Sequence, residues 1–249
     1  MRGKGRAVVT ERDVRIMQFA FEQRALSFEQ IHRRFFELTK QPTVHYRLGR
    51  LIKDGYLSKY GQTRNGPLIF VYGLKGKGFD KAREGYRFEI AEPYFKSDSP
   101  LHDISLTDVR VRLEKYQMFA DYISENMLQA CSGLANSPEY QPFAQINSDA
   151  VLVLKGPNKK FRVALEFEAS SKKGFRYRKK LMQYYLSPEI VAVFYVCRDR
   201  HIENLIRNAD AEFESQFESK IYTCQEDVVH SGISPLPFTN RKNATFLLK

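Results

Sequence analysis

Cysteine is scarce: Cys131, Cys197 and Cys224 are all that 249 residues contain. The count is odd and no pair stands at metal-ligand spacing. That argues against a disulfide framework and a zinc site, and it fits a reducing cytosol. Long apolar runs are missing too. The longest, residues 190–197, has eight residues, against the roughly 20 needed to span a bilayer. The basic amino terminus lacks an apolar signal segment. The expectation is therefore a soluble, cytoplasmic protein with no membrane partner. Histidines are few and dispersed, at positions 32, 45, 102, 201 and 230. His102 beside Asp103 reads as a pair near a helix start rather than a catalytic one. No glycine-rich loop ends in Gly–Lys–Ser/Thr, and "LKGKGFDKA" lacks that pattern, so ATP is not expected. No internal repeat is found.

What is present is a core-forming chain with misplaced charge. Hydrophobic residues make up 43 % and aromatics 13 %, enough to bury a core and to argue against disorder. The length suits two modest domains or one larger one. The formal charge is +11. Residues 1–90 hold 19 Lys/Arg against 9 Asp/Glu, and residues 91–249 hold 21 against 20. Nearly all the excess thus lies in the first third. Such a region attracts polyanions by neutralising phosphates and releasing counterions; a solubilising face is the plainer alternative.

The first ninety residues show three helical patterns. Thr10 with Asp13, and Ser27 with Gln30, are capping pairs. Val14, Met17 and Phe21 share one side of the first helix; Phe28, Ile31 and Phe35 share one side of the second. In "QPTVHYRLGRLIKDGYL", Pro42 suits a first helical turn. Val44, Leu48, Leu51 and Ile52 form a core stripe there, and Gly55 is placed to end the helix. The other side carries Thr43, Tyr46, Arg47, Arg50 and Lys53. Two strand-like runs, 56–60 and 68–72, flank a tip containing Gly61, Arg64, Asn65 and Gly66, which reads as a hairpin.

Three short helices, a basic third helix and a hairpin resemble the winged helix-turn-helix family over about residues 10–80, with "LGRLIKDGYLSKY" carrying much of the likeness. The resemblance implies double-stranded DNA as partner, with the third helix in the major groove. Tyr46, Arg47 and Arg50 then meet bases or phosphates, with Thr43 near the helix start and Lys53 supplying phosphate attraction. Arg64 and Asn65 reach backbone or minor groove. A winged helix used for protein contacts, its cations merely solvated, is the competing reading.

Residues 85–101 carry two prolines and little periodicity and read as a linker between a first domain, 1–84, and a second, 102–249. "HDISLTDVRVRLEKYQMFADYISENM" gives a long helical pattern with anchors at Ile104, Val111, Met118 and Ile123, capped by Asp103 or Ser105. Residues 130–145 look like loop. Strands follow at 150–154 and 161–168, a helix at 175–186, a buried strand at 190–197, a helix at 202–217 and a strand at 221–224. That order argues for an α/β domain with a mixed sheet, and the fold class expected for the whole chain is α+β.

The second domain also carries the candidate chemistry. Asp149 starts one strand of a hairpin, and Glu166 and Glu168 end the other, both on one face because side chains alternate. Convergent carboxylates bind hard divalent cations such as Mg2+ or Mn2+, which lower the pKa of bound water and offset charge on a phosphate. The plain alternative is that exposed glutamates at a strand end pair with nearby cations, worth about 0–1 kcal/mol. After the strand, "SSKKGFRYRKKLMQYY" brings Lys172, Lys173, Arg176, Arg178, Lys179 and Lys180 with interleaved tyrosines. Cations and aromatics of this kind track a nucleic-acid backbone, while Tyr177, Leu181 and Tyr184 at i, i+4 and i+7 pack inward.

This layout resembles the PD-(D/E)xK nuclease superfamily. Ser148–Asp149 stands for the Pro–Asp and Glu166–Phe167–Glu168 for acid–x–Lys. The lysine position holds Glu168, leaving Lys172, Lys173, Lys179 or Lys180 to supply a cation. The combination with a winged helix resembles plasmid replication-relaxation and related mobile-element proteins. It implies a DNA-binding protein of plasmid or mobile-element replication, mobilisation or its control. A homodimer and replication or mobilisation proteins are the implied partners. The second domain then serves assembly or added DNA contact through Lys172, Lys173, Arg176 and Lys179. Two other readings stand beside it: a Mg2+-dependent endonuclease or nickase using Asp149, Glu166 and Glu168 as catalytic and metal ligands, and a transcriptional regulator.

Overall fold

In the computed structural model the described residues are 7–62, 68–86, 89–90 and 97–249. They form an α+β protein of two compact units. The first runs to Thr107 and includes residues 130–132; the second takes residues 108–129 and those from 133 on. The expected tip residues Arg64 and Asn65, and much of the expected linker, lie outside the described residues.

The first unit contains α1 (Glu11–Gln23), β1 (Leu26–Ser27), α2 (Phe28–Phe35), α3 (Gln41–Lys53), β2 (Leu57–Gln62), β3 (Ile69–Leu74), α4 (Gly76–Arg83) and the start of α5 (Pro100–Leu113). Both predicted capping boxes are present, Thr10 with Asp13 and Ser27 with Gln30. Each satisfies two backbone donors that a helix start otherwise leaves unpaired. Pro42 lies in the first turn of α3, and Gly55, at φ +83°, follows its end. Strand order is β1-β3-β2, with β3 antiparallel to both neighbours. Ile16, Met17, Leu26, Ile31, Val44, Leu48, Leu51 and Val71 are fully or almost fully buried between helices and sheet. Gly78 is required in α4, since a Cβ there would lie 2.1 Å from the Tyr56 carbonyl oxygen. The start of α5 is tied to the same unit: Gln30 Nε2 donates to the Ile104 carbonyl at 2.7 Å and Thr107 Oγ1 to Gln23 at 3.1 Å.

The second unit contains β4 (Phe119–Ser124), α6 (Glu125–Ala130), α7 (Ser132–Ala135), α8 (Gln141–Ile146), β5 (Ala150–Lys155), β6 (Lys160–Glu168), α9 (Gly174–Tyr185), β7 (Val193–Cys197), α10 (Arg200–Ala211), β8 (Ile221–Gln225), α11 (Glu226–Ser231), β9 (Leu236–Asn240) and β10 (Thr245–Leu248), the ends of α6 and α7 returning to the first unit. Its sheet has seven strands in the order β10-β9-β8-β7-β6-β5-β4. The β6–β7 and β7–β8 pairs are parallel and the others antiparallel. The parallel pairs are those joined through α9 and α10, since a parallel connection needs a crossover. The sheet curls. Met118 N–H donates to the Lys249 carbonyl at 2.7 Å, so the ends of the strand order approach each other. Phe246 lies 6.2 Å from Phe161 and 5.1 Å from Phe194, ring to ring, inside the curl.

The single long helix expected from His102 onward is not formed. It starts earlier, at Pro100, so neither Asp103 nor Ser105 is its cap, and it stops at Leu113; residues 119–124 are β4 instead. Pairing with the apolar β5 and burial of Tyr122 and Ile123 override the helical spacing. Residues 130–145, expected as loop, hold α7 and α8. All three cysteines are buried and unpaired.

A buried ion pair fastens the β9–β10 turn. Arg241 Nη1 donates to Asp210 Oδ1 at 2.9 Å and to the Tyr185 hydroxyl at 2.9 Å, and Nη2 donates to the Phe217 carbonyl. The Tyr185 hydroxyl donates to Asp210, and its ring stacks on Phe217 at 4.9 Å. Arg241 and Asp210 side chains are 4 % and 2 % exposed. Removing one partner leaves a buried charge uncompensated, so Arg241→Ala should lower stability by about 3–5 kcal/mol. Urea unfolding followed by circular dichroism checks this; a loss below about 1 kcal/mol would contradict the assignment.

Candidate functional site

Two groups of residues follow from the sequence, one in each unit. The first is α3. Its apolar stripe, Val44, Leu48 and Leu51, is buried, which turns Thr43, Tyr46 and Lys53 outward and leaves Arg50 half-exposed. Positions 43, 46, 50 and 53 recur at three- and four-residue steps, so they share one face. Tyr46 is 67 % exposed, and Arg50 Nη1 donates to its hydroxyl at 3.4 Å.

Arg47, expected on that face, is turned the other way. It borders the buried stripe and donates through Nε to Asp13 Oδ1 at 3.0 Å, through Nη2 to Asp13 Oδ2, and to the Val8 carbonyl at 2.7 Å. Asp13 is 1 % exposed and is already the capping acid of α1. Burial pushes the Asp13 carboxyl up, but hydrogen bonds from Arg47 and Thr10 outweigh it and hold the group below its ordinary value. A charged pair this enclosed fixes α3 against α1.

The second group is on the sheet. The β5–β6 register pairs Ala150 with Leu165, which sets Asp149 across from Glu166. Glu166 pairs with Tyr195 on β7, and Tyr195 with Thr223 on β8. Asp149, Glu166, Tyr195 and Thr223 thus form one cross-strand row on one face, with Glu168 beside Cys197 a step further. Asp149 Oδ2 accepts the Phe167 N–H at 2.7 Å. The sequence brings the three acids to the same face as expected, but the glutamates are not exposed: Glu166 is 4 % and Glu168 5 % exposed.

Helix α9 covers that face and neutralises it. Lys180 Nζ lies 3.2 Å from Glu166 Oε1, and it also donates to the carbonyls of Ile146 at 3.1 Å and Asn147 at 2.9 Å. The Tyr184 hydroxyl donates to Glu166 Oε1. With that proton committed, the Ser148 hydroxyl donates to Tyr184 at 2.8 Å. Lys172 Nζ donates to Glu168 Oε1 at 2.6 Å, and the Lys172 N–H to the Tyr177 hydroxyl at 3.1 Å. Desolvation pushes Glu166 up to about 7, with Lys180 pulling it back and Asp149 adding to the rise.

Mg2+ or Mn2+ would need several open oxygen ligands. Among the described residues no three His, Cys, Asp or Glu side chains are grouped to hold a metal ion. Lys172 and Lys180, two of the four lysines expected to supply a cation, lie against Glu168 and Glu166, and both glutamates are buried. In this arrangement Asp149, Glu166 and Glu168 do not fit a metal centre.

Of the other cations expected to meet DNA, Lys173, Arg176 and Lys179 are exposed, Lys172 is committed to Glu168, and Arg178 pairs with Glu212 at 3.1 Å. The roles of Ser148 and of the Tyr184 hydroxyl in the acidic cluster were not legible from spacing. Lys180 was one of four lysines that the sequence left to supply a cation, and its place at the border of the stripe of Tyr177, Leu181 and Tyr184 brings it to Glu166. Among the described residues no helix is long and apolar enough to cross a membrane. No family model, no curated protein and no solved structure matches the chain.

The Glu166 pKa sets a sign. It is raised on folding from an ordinary 4.5 to about 7, so folding favours the protonated form. Its contribution to stability is full below about pH 4.5 and is lost as pH rises through about 7. Lys180 opposes that rise. Lys180→Met should therefore cost more at about pH 9, where the carboxylate is left charged and uncompensated at about 3–5 kcal/mol, than at about pH 5. Urea midpoints at the two pH values measure the difference; a loss independent of pH would contradict the pairing.

Proposed function

We propose that the protein binds duplex DNA through its first unit, which acts as a winged helix with α3 as the element that enters the major groove. The observation that carries this reading is the outward face of α3. Thr43, Tyr46 and Lys53 stand exposed on one face, with Arg50 half-exposed among them, in a segment whose charge balance is +10 over residues 1–90. The order α1, β1, α2, α3, β2, β3 supports it, since the hairpin that follows α3 holds the place of a wing. Arg50 supplies a planar donor fork for a guanine edge or a phosphate, Tyr46 orients it, and Lys53 adds phosphate attraction. Arg47 acts indirectly, by holding α3 in place.

The second unit supports that binding through assembly or further contact. The sequence resemblance extends the reading to replication or mobilisation of a plasmid or other mobile element, with a homodimer and other proteins of that machinery as partners. A metal-dependent endonuclease draws no support from buried glutamates that, among the described residues, form no group able to hold a metal ion, and a plain transcriptional regulator has no separate feature in its favour.

The test is a duplex-binding titration by fluorescence anisotropy over a range of salt. Arg50→Ala and Lys53→Ala should each weaken binding several-fold and each reduce the salt slope by about 1, as loss of one phosphate contact does. Unchanged affinity and slope in the double variant would remove α3 from the interface. Arg47→Ala should act differently, lowering the stability of the first unit by about 3 kcal/mol because Asp13 is left buried and unpaired.

A further inference from the structure

Cations that the fold does not use are concentrated on one edge of the second unit. Residues 169–188 contain six Lys/Arg and no acid, although residues 91–249 as a whole are nearly balanced. Three of the six are consumed internally: Lys172 by Glu168, Lys180 by Glu166 and Arg178 by Glu212. Lys173, Arg176 and Lys179 remain exposed. Between them on the outer side of α9 stands Phe175, an apolar ring left 55 % exposed. Burying Tyr177, Leu181 and Tyr184 beneath the helix forces Phe175 and Lys179 to its opposite face and leaves Arg176 exposed at its side.

The neighbouring loop adds to this edge. Strands β6 and β7 are parallel, so the segments leaving their carboxyl ends emerge side by side. The Arg198 N–H donates to the Glu168 carbonyl at 2.9 Å, which fixes the loop after β7 against the start of the loop before α9. Arg198, Arg200 and His201 are exposed there. The one acid among them, Asp199, has its carboxylate directed to the Ile202 N–H at 2.9 Å as the cap of α10.

From this we infer that the carboxyl edge of β6 and β7 is a second nucleic-acid surface, one that takes a single strand. Lys173, Arg176, Lys179, Arg198 and Arg200 follow the phosphates, and Phe175 stacks an unpaired base. An exposed ring amid cations fits a single strand better than a duplex, whose base faces are hidden in the stack. The surface stands independently of α3 and adds a separate activity to duplex binding.

The test uses the full chain and a labelled single-stranded oligo(dT) of about 16 nucleotides. The native protein should bind it with a steep salt dependence. Phe175→Ala should lose on the order of tenfold in affinity. Lys173→Ala/Arg176→Ala/Lys179→Ala and Arg198→Ala/Arg200→Ala should each weaken binding and flatten the salt slope. Circular dichroism should be unchanged in all three, and Arg50→Ala/Lys53→Ala should bind the oligonucleotide as the native chain does. The inference is overturned if the native chain does not bind the oligonucleotide, or if Phe175→Ala binds it as well as the native chain does.

Discussion

Two glutamates lie on a sheet face that a helix covers, and much of the second unit is arranged around that constraint. An isolated carboxylate taken out of water is costly enough that it either finds a cation or takes up a proton. Glu166 and Glu168 find theirs on α9 and in the segment before it, Lys180 and Lys172. Tyr184 and Ser148 complete the bonding of Glu166. Once Lys180 and Tyr184 are held beneath α9, the rotation of that helix is fixed. Which residues reach solvent is then fixed as well. The acidic row and the basic outer surface are two consequences of one helix orientation.

The first unit obeys the same rule. Asp13 caps α1 and is buried, and Arg47 of α3 neutralises it. That pair sets the rotation of α3 and presents Thr43, Tyr46, Arg50 and Lys53 away from the core. In both units a cation at the border of an apolar stripe serves the fold, whereas Lys53 on α3 and Lys179 on α9, opposite the stripe, are exposed. Charge counts alone do not separate the two kinds; helical position does.

Local signals in the sequence were strong where they were chemical. Thr10 and Ser27 with their capping partners, Pro42 and Gly55 mark helix ends through backbone needs that hold in any context, and α1, α2 and α3 appear where those residues put them. The strands around Glu166 were legible from their apolar runs. Periodicity failed at residues 119–124, where a helix-like spacing is drawn into the sheet by pairing with β5. It was also silent on α11 and the β9–β10 hairpin, whose ladder depends on long-range partners. Asp149 and the two glutamates were correctly set on one face, because strand alternation is geometric. Their burial was not legible, because it depends on where α9 packs. The inward turn of Arg47 was readable in principle, three residues after Val44 and four before Leu51.

The central claim is that Glu166 sits in a dry, lysine-compensated site and not in an open carboxylate cluster. The most direct measurement is a 13C carboxyl NMR titration of the full chain, with the Glu166 resonance assigned by its loss in Glu166→Gln. The account predicts a midpoint near 7. A midpoint at the ordinary 4.5 that Lys180→Met leaves in place would mean that the carboxylate is solvated, and the account of α9 as the helix that covers and neutralises it would be wrong.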